Sequence, residues 1–182
     1  MNLRAPLLAF SLSCLFITQV QAQNVPSAEE IIKKNLETAR KDNKNVFIMF
    51  HASWCGWCHK MDSSMNDASV KKYFTDNYVI DHLVVTESEK NRHLENPGAW
   101  NMLVKYHGKD SGIPFWLIFD KDGKLLADSK KRTPIQGPEA GENVGCPATD
   151  DEVNYFIEVL RKTSQLDDNA LGKIKTVFSR NK

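Results

Sequence analysis

This chain lacks an excess of charge of either sign. Its 24 Lys and Arg stand against 23 Asp and Glu, a formal net charge of +1. That balance excludes the basic stripe that nucleic acid or an anionic membrane surface would require. No segment repeats, and no linker is long enough to separate a pair of domains. Cysteine is scarce as well, with four in 182 residues. One of them, Cys14, lies in an apolar N-terminal run. The others, Cys55, Cys58 and Cys146, are an odd number, whereas a purely structural disulfide framework prefers an even one. One close pair and one stray thiol suit a redox pair better than a staple. Zinc is short of ligands too, since a site takes about four. His59 is adjacent, but no second Cys-x-x-Cys exists and Cys146 is isolated. No metal and no cofactor is expected.

The one long apolar run, residues 5–20, is short for a spanning helix and no stop-transfer charges follow it. It comes after Met1-Asn2-Leu3-Arg4. Val20-Gln21-Ala22 then places compact residues where a signal peptidase reads them. The pattern predicts a signal peptide over 1–22 and a mature chain over 23–182, read as one domain without a membrane segment. A lipidation box is the weaker alternative, because Leu12 sits one place too near Cys14. Export implies the periplasm or secretion, where disulfides form and persist.

Ser27 and Glu30 form a capping box, and Ile31, Ile32, Leu36 and Ala39 follow at helical spacing, which predicts a helix over 28–42. The continuous apolar run 46–50 reads as a strand buried on both faces. Helical segments are expected at 56–65 and, capped by Asp67, at 68–78. A strand follows at 79–86, a loop at 87–96, and a helix at 97–107 with Pro97 in its first turn. Ile113-Pro114 opens a strand at 115–119, Asp120-Lys121-Asp122-Gly123 turns it, and 124–129 returns antiparallel. Residues 130–148, broken by Pro134, Gly137, Pro138, Gly141, Gly145 and Pro147, read as an irregular loop. Thr149 and Glu152 make a second capping box for a helix carrying Val153, Phe156, Ile157 and Leu160, and a last helix runs over 168–178. The fold class is α/β: a mixed four-stranded sheet flanked by helices, plus an extra C-terminal helix.

The chemistry gathers in Trp54-Cys55-Gly56-Trp57-Cys58-His59-Lys60. Two cysteines at this spacing can close a small disulfide ring. If a helix begins at Cys55, its unsatisfied N–H groups favour the thiolate. The same residues spell Cys-x-x-Cys-His, the pattern of covalent c-type haem attachment. A haem protein of this length would be mostly helical, whereas this motif follows a buried strand. Trp54 and Trp57 are either ordinary packing residues or an apolar lip. His59 reads as a surface residue whose charge can tune the thiolate. His82, His93 and His107 show no partner pattern and read as solvated, and Cys146 reads as an unpaired thiol.

The element order, the motif after the first strand and Ile113-Pro114 before the next core strand resemble the thioredoxin superfamily, over about residues 28–163. Within it, the run from Phe50 to Met61 resembles exported thioredoxin-like proteins, including the C-terminal domain of thiol:disulfide interchange proteins. The resemblance implies that Pro114 is cis and lies against the cysteines. It implies that Cys55 attacks a substrate disulfide and that Cys58 resolves the mixed disulfide. Gly56 then allows close backbone approach. Trp54 and Trp57 form a docking lip, and Ile113 and Pro114 offer an edge where a partner segment pairs. The implied function is an exported thiol–disulfide oxidoreductase, a reductase by resemblance, with protein disulfide substrates and a redox partner protein. A non-catalytic client-binding module or chaperone on the same fold is the alternative. The buried aspartate of thioredoxins has no counterpart among residues 46–50, which leaves His51 and Glu87 as the nearest proton acceptors in sequence.

Overall fold

A computed structural model describes residues 25–181. The expected signal segment and Cys14 lie outside the described residues. The first helix, α1 (Ala28–Asp42), starts on the Ser27–Glu30 capping box. It ends at Asn43, which takes the left-handed conformation and closes the last turn. Strand β1 (Asn45–His51) follows, then α2 (Gly56–Met65), α3 (Lys71–Asn77) and β2 (Tyr78–Val84). A 3-10 segment, Glu89–Leu94, precedes α4 (Ala99–Lys105). Then come β3 (Phe115–Phe119), β4 (Leu125–Asp128), the short β5 (Lys130–Lys131) and β6 (Glu142–Asn143), α5 (Asp150–Thr163) and α6 (Asp168–Phe178).

The main sheet has the order β2-β1-β3-β4. β1 runs parallel to β2 and antiparallel to β3, and β3 is antiparallel to β4. Alternation along β1 divides the core. Phe47 and Met49 point to one face, packing with Met61 and Met65 of α2, Phe74 of α3, Phe156 and Leu160 of α5, and Ile174 and Phe178 of α6. Val46, Ile48 and Phe50 point to the other, against Ala39 of α1 and Leu103 of α4. Burial on both faces explains why residues 46–50 are continuously apolar rather than alternating. Each fully buried ring, such as Phe156, contributes about 2–3 kcal/mol of transfer free energy.

The mixed four-stranded sheet, its flanking helices and the C-terminal helix stand as the sequence predicts. Several boundaries differ, the main ones for local reasons. Asp67 caps a turn through the Ser69 backbone and hydroxyl, so α3 starts later than residue 68. Thr86 adopts a positive φ of 53°, and β2 ends before it. Gly98, at φ 83°, is the residue that starts α4, which leaves Pro97 outside the first turn. The expected loops at 87–96 and 130–148 contain the 3-10 segment and the β5–β6 pair.

Candidate functional site

The site sits at the end of β1, where the chain turns into α2. Cys55 is the N-cap of that helix, and its Sγ accepts the Cys58 backbone N–H at 3.1 Å. A helix N-terminus leaves such N–H groups without intrahelical partners, and a sulfur carrying negative charge is stabilised there. Cys55 and Cys58 are joined as a disulfide with Cα atoms 5.2 Å apart. Cys55 retains 3% of its surface and Cys58 none, so an incoming group reaches the Cys55 sulfur first. Ala52 and Ile113 pack around the pair.

Facing it, the Ile113–Pro114 peptide is cis, as the resemblance implied. The Ile113 carbonyl oxygen lies 3.6 Å from Cys55 Sγ. One side chain clamps this loop: the Asn143 amide donates to the carbonyls of Ser111, Gly112 and Pro114 at 2.9, 3.3 and 3.1 Å. Gly145, at φ 55°, allows the neighbouring backbone to lie against Pro114, since a Cβ there would meet the Pro114 carbonyl at 3.0 Å. The segment expected to be a mere loop thus braces the cis-proline.

Trp54 is 59% exposed and Trp57 50%, which makes them a rim rather than core. The Trp54 ring N–H donates to the Thr86 carbonyl at 2.9 Å, so its indole is pinned. Trp54, Trp100, Leu103 and Ile113 line a shallow pocket of about 420 Å³ beside the disulfide. Trp100 and Thr86 lie far from the motif in sequence, and no signal there pointed to them. No Cβ added to Gly56 would meet an atom within 4 Å, so this glycine leaves the backbone beside Cys55 open to approach.

Polar groups support the turn into α2. Glu87 accepts from the Ser53 backbone at 2.5 Å and its hydroxyl at 2.7 Å. Burial pushes the Glu87 carboxyl up, but hydrogen bonds from Ser53 and the Ser88 backbone, with His51 nearby, outweigh this and hold it below its usual range. Glu87 is thereby committed to bracing Ser53. His59 Nε2 lies 2.9 Å from the Ser53 carbonyl. His82 departs from the expectation of a solvated residue. Its Nε2 meets Asp62 at 2.9 Å, and its ring lies against His51 with centroids 4.7 Å apart. His93 and His107 are exposed, as expected. Strand register carried the missed signal: pairing Asn45 with Tyr78 puts His82 opposite Met49 and so on the face of His51.

Cys146 is free and buried, and burial pushes its thiol up to about 12. Among the described residues, no three His, Cys, Asp or Glu side chains are grouped to hold a metal ion, and no helix is long and apolar enough to cross a membrane.

A sheet of this topology, with a dithiol–disulfide pair heading the helix after its central strand and a cis-proline loop opposite, defines a thioredoxin-fold protein. The thioredoxin-like family model matches residues 28–121, and the chain belongs to that family. It is 32% identical over 94 residues to the disulfide bond reductase DsbH of Chlamydia pneumoniae, a match covering 50% of this chain and 55% of the relative. The chain thus spans about half the length of that curated relative. It is similar to the disulphide isomerase of Xylella fastidiosa Temecula1, with 21% identity, a TM-score of 0.45, and coverage of 59% of this chain and 80% of the other. It is also similar to the oxidised C-terminal domain of Neisseria meningitidis DsbD, with 21% identity, a TM-score of 0.40, and coverage of 57% and 84%.

Proposed function

We propose that this chain is an exported thiol–disulfide oxidoreductase that reduces disulfides in protein substrates. The carrying observation is the Cys55–Cys58 pair at the head of α2, with a backbone N–H directed at the more accessible sulfur. In the reduced protein Cys55 is the nucleophile: it attacks a substrate disulfide and forms a mixed disulfide. Cys58 then attacks Cys55, releases the reduced substrate and closes the ring. An extended substrate segment pairs beside Ile113 and Pro114, while Trp54 and Trp57 cover its apolar side chains and Gly56 leaves room for its backbone. A redox partner protein returns the pair to the dithiol. Residues 1–22 act as a signal peptide, 23–182 form one thioredoxin-like domain, and the site of action is the periplasm or the extracellular space. The reductive direction is supported by the similarity to the Chlamydia pneumoniae reductase.

Covalent haem would need both thiols and an imidazole on one open face. Cys58 is fully buried and His59 is engaged with the Ser53 carbonyl, which disfavours that reading.

Insulin-disulfide reduction tests the proposal: the wild type turns over and Cys55→Ser does not. Equal client binding by both proteins without turnover would instead identify a binding module. Titration of the pair against glutathione tests direction. A potential near about −270 mV supports a reductase, and one near about −120 mV overturns it.

A further inference from the structure

Thiol–disulfide exchange as proposed above requires a proton to leave Cys58, because the thiolate is the attacking species. Cys58 is fully buried. The strand segment beneath it, 46–50, holds no carboxylate. Glu87 is occupied by Ser53. The face of β1 that meets α2 carries Phe47 and Met49 in the core and ends in His51. Ala52, the next residue, packs against both cysteines. On the other side of the His51 ring lies His82 of β2, and His82 is bonded to Asp62 at 2.9 Å. Asp62 is four residues beyond Cys58, one turn down the same helix. These groups form a half-buried polar patch between the tops of two parallel strands and the first turns of α2. Within it the buried Nδ1 of His51 has no hydrogen-bond partner among the described residues. A buried polar atom left unpaired costs about 1–3 kcal/mol, and an imidazole nitrogen held in that state is free to take a proton.

We propose that His51 is the proton acceptor for Cys58, with His82 and Asp62 as residues that position its imidazole. In the resolving step the Cys58 S–H proton passes to His51. The sulfur electron pair forms the bond to Cys55, and the bond between Cys55 and the substrate sulfur breaks. The substrate leaves as a thiolate and takes a proton from water. The cysteine pair is oxidised and the substrate disulfide is reduced to two thiols. His51 then gives its proton up to solvent, which balances the proton the substrate thiolate takes, and when a thiol donor reopens the pair a proton from solvent reaches the Cys58 sulfur by way of His51.

The surroundings keep His51 able to accept. Burial lowers its proton affinity first, and His82 of β2 and His59 of α2 lower it further; Asp62 of α2 and Glu87 of the loop after β2 pull the other way. The balance leaves it below the ordinary imidazole value of 6.5, hence unprotonated at neutral pH.

An aromatic nitrobenzoate disulfide tests this without any protein substrate. Mixed with reduced protein, it yields one coloured thiolate when Cys55 attacks and a second when Cys58 resolves. His51→Gln should leave the first phase unchanged and slow the second about 100-fold near neutral pH. The gap should narrow as the pH rises, because hydroxide then removes the Cys58 proton without help. In the wild type the second phase should hold its rate down to 6.5 and decline only below. In the variant it should fall about tenfold for each pH unit below the thiol's own ionisation. An unchanged second phase, or equal slowing of both phases, overturns the proposal. Should His51→Gln fail to fold, His82→Gln and Asp62→Asn decide. A second phase slowed about threefold or more supports the positioning role, and wild-type rates in both overturn it. A normal two-phase reaction with no insulin reduction would refute the protein-substrate reading and leave this one standing.

Discussion

Cys55 and Cys146 are both nearly out of solvent, at 3% and 7% of their surface, yet they sit in opposite chemical settings. Cys55 caps a helix and receives a backbone N–H at 3.1 Å. Cys146 lies among apolar core residues, and its sulfur accepts a single N–H from Asn181 at 3.5 Å. Burial therefore pushes the Cys146 thiol up to about 12, while the helix terminus favours a Cys55 thiolate. The lesson is that exposure does not separate a reactive cysteine from an inert one; the donors aimed at the sulfur do.

Alkylation of the fully reduced, folded protein carries the largest expected difference. With its thiol at about 12, Cys146 holds roughly one thiolate per hundred thousand molecules at neutral pH. Cys55 should react at least about a thousandfold faster with iodoacetamide, read by peptide mass. Comparable rates at the two sites would break the comparison.

The sequence made some of this contrast readable. Cys-x-x-Cys after a doubly buried strand, and two capping boxes, each encode a local physical demand, and the structure meets them at Ser27, Cys55 and Thr149. What it hid depends on distant pairing. His82 looked solvated because its partners come from a helix 20 residues earlier and a neighbouring strand. The loop at 130–148 looked passive because its clamp on the Pro114 loop, made by Asn143, joins positions about 30 residues apart. Asp67, expected to cap a helix, holds a turn instead, because Ser69 takes its carboxylate and the helix begins only after Val70.

Asn181 offers an intermediate effect. Its amide nitrogen also donates to the Pro147 carbonyl at 3.0 Å, and its oxygen accepts from Ser64 of α2 at 2.8 Å. Asn181→Ala removes all three and leaves buried partners unpaired, at a cost of about 1–3 kcal/mol in urea unfolding. Cys146 should then become easier to alkylate, while Cys55 reactivity stays as it was. A loss of Cys55 reactivity of the same size would mean that the two sites are not independent.

Exchange of Cys146 for serine should change insulin reduction by less than about twofold, because no step of the proposed cycle uses it. Cys58→Ser should instead stop at a covalent mixed disulfide, detectable without reductant. Trapping through Cys146 would overturn its assignment as an inert thiol.

The smallest effect concerns alkaline stability. In the unfolded chain the Cys146 thiol ionises near 9.0, and in the folded protein near 12. Its burial therefore contributes fully below pH 9.0, and that contribution is lost as the pH climbs towards 12, since only the unfolded chain releases the proton. Tyr78 and Tyr155 follow from 10.0 to about 12, with burial again the first cause. Between 9.0 and 10.0 Cys146 acts ahead of both tyrosines. The thiol alone should lower wild-type stability to urea by about 1 kcal/mol across that unit, and Cys146→Ala should show a profile flatter by that amount whatever its absolute stability. Parallel profiles in the two proteins would mean that the thiol is not held neutral by its surroundings, and the contrast with Cys55 would lose its physical basis.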